Sequence, residues 1–131
     1  MLDENRASLM RLRLEQSRKC LDAAMLLLRA EAHKDAANRA YYCIFHAMRA
    51  VLALDCYDSK RHSGIISEFG NRYIKTGTFS KEFSKLIKNA FEVRNDSDYD
   101  DFYVISKDEV EKQAESAKIF LNAVEEYVKA L

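Results

Sequence analysis

Proline and tryptophan are absent from this chain, and its three glycines, Gly64, Gly70 and Gly77, fall in one middle stretch. Proline and glycine are the residues that interrupt helices, so the flanking regions are free to run as long helices and an all-α protein is expected. An excess of one charge is also lacking. Twenty-one Lys and Arg stand against 21 Asp and Glu, so no global field draws the chain onto nucleic acid or an anionic membrane, and any RNA contact has to be local. No segment approaches the roughly 20 apolar residues of a membrane span. The N-terminal MLDENRASLMRLRLEQ is charged throughout and lacks the apolar run of a signal peptide. Cys20, Cys43 and Cys56 are odd in number and without metal-like spacing, and they read as free thiols in a reducing environment. The expectation is a soluble, cytoplasmic protein without a metal or cofactor. Missing too are a Gly-rich phosphate loop, a nucleophile elbow, a paired-Cys zinc motif and an HExxH run, which sets aside many enzyme classes.

What is present is enough apolar surface, 48% of 131 residues, for one compact domain over 1–131 to bury its own core. Met10, Leu14, Leu21, Met25 and Leu28 recur at helical spacing and predict a helix from about Asp3 to about Glu31. Ala37, Ala40, Tyr41, Ile44, Met48, Val51 and Leu52 predict a second, from about Asp35 to Leu54, folded back antiparallel on the first. Beyond the turn-like CYDSKRHSG, residues Ile65, Ile66, Phe69, Tyr73 and Ile74 indicate a shorter third helix before Gly77. Thr78 or Ser80 is placed to cap a fourth helix carrying Phe83, Leu86, Ile87, Ala90 and Phe91. Ser106 and Glu109 have capping-box spacing ahead of a last amphipathic stripe from Val110 to Leu131. The expected architecture is four long helices and one additional short one.

Arg94 falls on the fourth helix's apolar stripe, where a core side chain is expected. A guanidinium keeps its proton at any working pH, so burial demands a carboxylate, carbonyls, water or an anionic ligand. Spacing alone leaves two readings open, an ion pair with Asp96, Asp98 or a carboxylate of another helix, and a phosphate clamp or transition-state stabiliser. The following run, DSDYDD, carries oxygen ligands suited to a hard cation, but it lacks the pattern of a calcium loop and reads as a solvated loop. On the second helix Asn38, Tyr42, His46 and Arg49, spaced by four, four and three residues, share a face. That face suits either a solvated or dimer-facing surface, with Arg49 on a carboxylate, or a nucleotide or RNA contact. His62, in KRHSG, is a loop or helix-start residue with only a weak phosphate signal, and His33 carries no message.

Together, AANRAYYCIFHAMRAVL, KRHSGII and FEVRNDSDYD resemble the HEPN superfamily, in particular its small stand-alone prokaryotic members. The resemblance covers nearly the whole chain, and NRAYY and RNxxDY are its most diagnostic pieces. It implies an up-and-down α-helical bundle, a homodimer with the Arg motifs of two subunits at a shared cleft, and a toxin-like role beside a minimal nucleotidyltransferase antitoxin. Many active members are metal-independent ribonucleases whose motif is an Arg, a polar residue and, a few positions on, a His. Arg94 and Asn95 match, but positions 98 to 100 hold Asp98, Tyr99 and Asp100. An imidazole can move protons near neutral pH, whereas a tyrosine, with a pKa of about 10, is a poor base, so the departure argues against robust ribonuclease activity.

The resemblance therefore implies an RNA- or nucleotide-binding protein with a degenerate motif. Arg94, Asn95, Asp98 and Tyr99 are the catalytic candidates, and Asn38, Tyr42, His46 and Arg94 the binding candidates. Two alternatives stand beside it: a non-catalytic dimerisation or adaptor bundle, and an active ribonuclease using Tyr99 or Asp98. By the same resemblance, Tyr99 and Tyr103 are the candidates for adenylylation by a nucleotidyltransferase partner.

Overall fold

The computed structural model describes residues 3–131. Helix α1 spans Glu4–Arg29, and its first turn is capped by Asp3, whose carboxylate accepts the Asn5 N–H at 3.0 Å. The reversal that follows depends on one residue, Glu31, which enters the left-handed region at φ 61°. There it lets the Ala32 N–H reach the Leu27 carbonyl at 2.9 Å and close the helix end, at about 1–2 kcal/mol of backbone strain. Helix α2, His33–Ala53, then runs back along α1.

α2 is the centre of the molecule. Ala36, Ala37, Ala40, Ala47 and Ala50 are buried around its circumference together with Tyr41, Ile44, Met48 and Leu52. Alanines that lose no side-chain entropy and take little room let α1 and the two later long helices all close on it.

A loop over residues 54–61 leads to α3, His62–Phe69, which widens into a π-helical turn at Gly70–Ile74, where the Lys75 N–H bonds the Gly70 carbonyl at 2.9 Å. Helix α4 spans Glu82–Tyr99 and α5 spans Lys107–Lys129. The Ser106 hydroxyl accepts the Glu109 N–H at 3.1 Å, as the capping-box spacing predicts. Of the two candidate caps for α4, Ser80 contributes, with its hydroxyl accepting the Glu82 N–H at 3.3 Å. Phe69, Phe120, Leu121 and Val124 fill the centre with Tyr41, Ile44 and Met48. The architecture is the expected all-α one, four long helices in an up-and-down bundle with a short fifth.

One expectation is corrected. The acidic run is not a loop over its whole length, because α4 continues through Asp96, Ser97, Asp98 and Tyr99. No breaker interrupts it, and Ser97, 6% exposed, continues the buried column of Ile87, Ala90 and Val93. The phase of α4 is also shifted from the expected one. Phe83, Leu86 and Phe91 pack at the margin of the core, while Val93 and Ser97 occupy the inward positions of the last turns.

Candidate functional site

Along α2 most positions flanking Asn38, Tyr42, His46 and Arg49 are buried, Arg39 excepted, whereas these four residues are half-buried and form the rim where α2 meets solvent. Arg94 reaches this rim from the last turns of α4. Its guanidinium does not enter the apolar core as the stripe suggested. It lies flat on the flank between the two helices, its side chain 14% exposed. Nη2 donates to the Tyr42 hydroxyl at 3.0 Å and Nη1 to Asn95 Oδ1 at 3.1 Å. Nε lies 3.0 Å from Asp98 Oδ2, close enough for charge attraction, yet off the N–H axis, so this buried N–H has no aligned acceptor. The same guanidinium stands over the rings of Tyr41, Tyr42 and Tyr99 at 5.6, 5.5 and 5.7 Å, the cation on the electron-rich face.

A polar chain extends from this centre. Asp98 Oδ2 accepts from Asn38 Nδ2 at 3.1 Å, and Asn38 Oδ1 in turn accepts from Arg39 Nε at 3.1 Å and Nη2 at 2.6 Å. Arg39, which the sequence reading did not single out, also stands over the Tyr42 ring at 5.0 Å. A repeat of Asn-Arg, at 38–39 on α2 and reversed as Arg-Asn at 94–95 on α4, was the available signal for it. Tyr99 is 77% exposed and so can meet a ligand above Arg94. Tyr103 is set elsewhere, packed with Ala36, Ala37, Val93, Ile105 and Val110. Burial, then Glu109 and Asp96, push its phenol up.

Two histidines belong to this face. His46 is held neutral, its pKa pushed down to about 4 by burial and then by Arg49, Arg39, Arg13 and His62, and its Nδ1 is buried without a partner. His62, the first residue of α3, is delivered to the same aromatic group by the turn at 59–61. Gly64 gives the turn room, since a Cβ on it would come within 2.7 Å of Ser59 Oγ and force that hydroxyl to move. His62 Nδ1 is 2.7 Å from the Tyr41 hydroxyl, and its ring stacks on Phe45 with centroids 4.2 Å apart and meets Tyr42 edge-on at 5.8 Å. Burial, then Arg94 and Arg49, lower its pKa from 6.5.

Arg49 closes the far end of the face on a carboxylate, as expected for a solvated or dimer-facing surface. Asp58 accepts from Arg49 Nε and Nη2 at 3.2 and 3.0 Å and from Arg13 Nη2 at 3.2 Å. Burial pushes the Asp58 carboxyl up, but the Arg49 and Ser59 hydrogen bonds and the two guanidinium charges outweigh it and hold the group below its ordinary value. Arg13, only 6% exposed, also donates to the Arg49 carbonyl at 3.1 Å.

Among the described residues, no three His, Cys, Asp or Glu side chains converge as a metal site, the acidic run included, and no helix is long and apolar enough to cross a membrane. Cys20 and Cys43 are buried thiols and Cys56 an exposed one. A groove of about 390 Å³ lined by Leu86, Asn89, Glu109 and Gln113 lies between α4 and α5 and includes none of the residues of the Arg94 face.

An all-helical bundle whose polar centre is an Arg-Asn pair, held against the tyrosines of a neighbouring helix, defines the class. The HEPN domain model matches residues 10–127, and the chain belongs to the HEPN domain family. Among its relatives is a UPF0332 protein of Thermotoga maritima, 34% identical over 116 residues, 88% of each chain. Two proteins of Methanocaldococcus jannaschii are also similar. One, named "Putative toxin MJ0142", is 32% identical over 115 residues, 88% of this chain and 78% of its own. The other, "Putative toxin MJ0605", is 28% identical over 122 residues, 90% and 87% of the two chains.

Proposed function

We propose that this chain is a toxin-like HEPN protein that binds single-stranded RNA through the α2–α4 face centred on Arg94. In this reading residues 1–131 act as one domain and as a homodimer, with a nucleotidyltransferase as the antitoxin partner. The observation that carries the reading is how Arg94 is held. Its charge is desolvated enough to be strong, yet its acceptors are a hydroxyl, an amide and an off-axis carboxylate, all on side chains. A phosphate offers oxygens in the fork geometry a guanidinium prefers and would replace these acceptors at little cost. Arg39 adds a second cation one helical turn from Tyr42, and the exposed ring of Tyr99 gives a base a surface to stack on. Asn38, Tyr42 and His46 line the face, Asn95 steadies Arg94, and Asp98 orients it. A chain without net charge binds locally, over a few nucleotides, with a shallow salt dependence.

The test is fluorescence anisotropy with a short labelled single-stranded RNA at low salt. Arg94→Ala is expected to weaken binding ten- to a hundredfold, the effect of about 1.5–3 kcal/mol for a charged hydrogen-bonded contact. Equal affinity for wild type and variant sinks the reading. It would then favour a second one, a non-catalytic adaptor bundle, for which the relevant observation is that both Arg94 Nη atoms already have acceptors within the chain.

A further inference from the structure

We infer that the segment joining α4 to α5, residues 102–106, is a docking strand: its backbone pairs with an extended segment of a partner protein that carries arginine or lysine between apolar residues. This goes beyond the RNA-binding reading and does not depend on it.

The segment alternates in a way that a helical bundle does not require. A turn closed by the Tyr103 N–H on the Asp100 carbonyl, at 3.0 Å, leads out of α4. Tyr103 then packs inward with Ala36, Ala37 and Val110, Val104 is 87% exposed, Ile105 is buried, and Ser106 is exposed in extended conformation at φ −76° and ψ 158°. In, out, in, out is the period of a strand. Tyr103 and Ile105 anchor it to the bundle, so it holds this shape without a sheet. Its backbone is left unused. Among the described residues, the Val104 and Ile105 N–H groups and the carbonyls from Phe102 to Ile105 take part in no backbone hydrogen bond. An unpaired strand edge beside exposed apolar side chains is a template on which a second strand adds.

Phe102 and Val104 are the most exposed large apolar side chains among the described residues, at 94% and 87%. They stand two residues apart on one short segment, which marks a contact surface and not the scattered exposure of single residues.

Charge indicates what covers them. The chain as a whole is neutral, yet residues 95–106 hold four aspartates and no lysine or arginine. Among the described residues, only Asp98 of the four pairs with a cation, Arg94. That pair shows what the others accept, since Arg94 lies between the Asp98 carboxylate and the Tyr99 ring. Phe102, next to Asp101 in the chain, offers an incoming guanidinium or ammonium the same two features, an aromatic face and a carboxylate. A second copy of this chain on the same edge would set one acidic run against another, so the partner is a different, basic protein.

The probe is a short capped peptide of alternating valine and arginine, titrated into the full chain by calorimetry and by ¹⁵N NMR. One control peptide has glutamate for arginine, and a second is N-methylated at every amide. The arginine peptide is expected to bind and to move the Val104 and Ile105 amide signals most, and the glutamate peptide to leave them in place. N-methylation removes the backbone donors and should weaken binding at least about tenfold, the effect of one or two hydrogen bonds. Phe102→Ser with Val104→Ser should weaken it by about tenfold or more through lost apolar contact, with the melting temperature unchanged because both side chains lie in solvent. Asp100→Asn with Asp101→Asn should cost about threefold and flatten the salt dependence. The Phe102 and Val104 substitutions should leave RNA affinity within about twofold, since neither residue touches Arg94. No binding of the arginine peptide by wild type overturns the inference and leaves the RNA reading standing. Equal binding of the N-methylated peptide, or no effect of the serine substitutions, reduces the contact to charge attraction and overturns strand pairing. If sedimentation shows the serine substitutions turning a dimer into a monomer, the edge belongs to a second copy and the basic partner is overturned.

Discussion

Arg13 and Arg94 both lean on α2 from a neighbouring helix, Arg13 from α1 and Arg94 from α4, and the two are held in different ways. Arg13 is 6% exposed and bonded to a backbone carbonyl, that of Arg49, and to a carboxylate it shares with the Arg49 side chain. A carbonyl within a helix cannot turn away, so this guanidinium has no alternative arrangement and serves to tie α1, α2 and the 54–61 loop together. Arg94 is bonded to side chains alone and lies beneath an exposed tyrosine. One residue type thus serves as a fastener where its acceptors are fixed and as a binding group where they are exchangeable.

Substituting each arginine in turn should separate the two roles. Arg13→Met fills a similar volume but removes the side-chain donor from the Arg49 carbonyl and leaves Asp58 with one cation fewer. It should cost about 2–3 kcal/mol in chemical denaturation and leave RNA affinity within about twofold. Arg94→Met should do the reverse, changing stability by no more than about 1 kcal/mol, because its partners can turn to water. If Arg94→Met destabilises as much as Arg13→Met, the two clusters are of one kind and the contrast fails.

A smaller effect lies between the clusters, at His46. Its folded pKa of about 4 lies below the ordinary 6.5, so between these values the unfolded chain binds the extra proton. Stability is therefore complete above pH 6.5 and falls as pH drops toward 4. Allowing for partial solvent screening, the loss is about 1–2 kcal/mol. His46→Gln should flatten that part of the pH–stability curve in thermal melts, and an unchanged slope would mean that His46 is not held neutral by its surroundings.

The sequence foretold most of the fold because its signals were local. Absent breakers and an apolar period near that of a helix foretell α1, α2 and α5, and the Ser106 cap joins residues only three apart in the chain. The α2 face was legible for the same reason, since Asn38, Tyr42 and His46 lie at helical spacing. Arg94 reads as a core position from the sequence because a stripe of Phe83, Leu86 and Phe91 does not show that these side chains sit at the margin and Val93 inward of them. The acidic run reads as a loop by composition, although Ser97 is in register with Ala90 and Val93. His62 could not be weighed, since its place is set by an irregular loop and by a hydrogen bond to a tyrosine 21 residues earlier. Contacts of that kind depend on tertiary closure, which no local period encodes.

The most direct test of the Arg94 assignment is to follow the guanidinium Nε–H resonances of Arg94 and Arg13 by NMR while a short single-stranded RNA is titrated in. The Arg94 signal should move and saturate with the RNA, as its poorly aligned Nε–H finds a phosphate oxygen, while the Arg13 signal stays in place. An Arg94 signal that remains unmoved at saturating RNA would contradict the account.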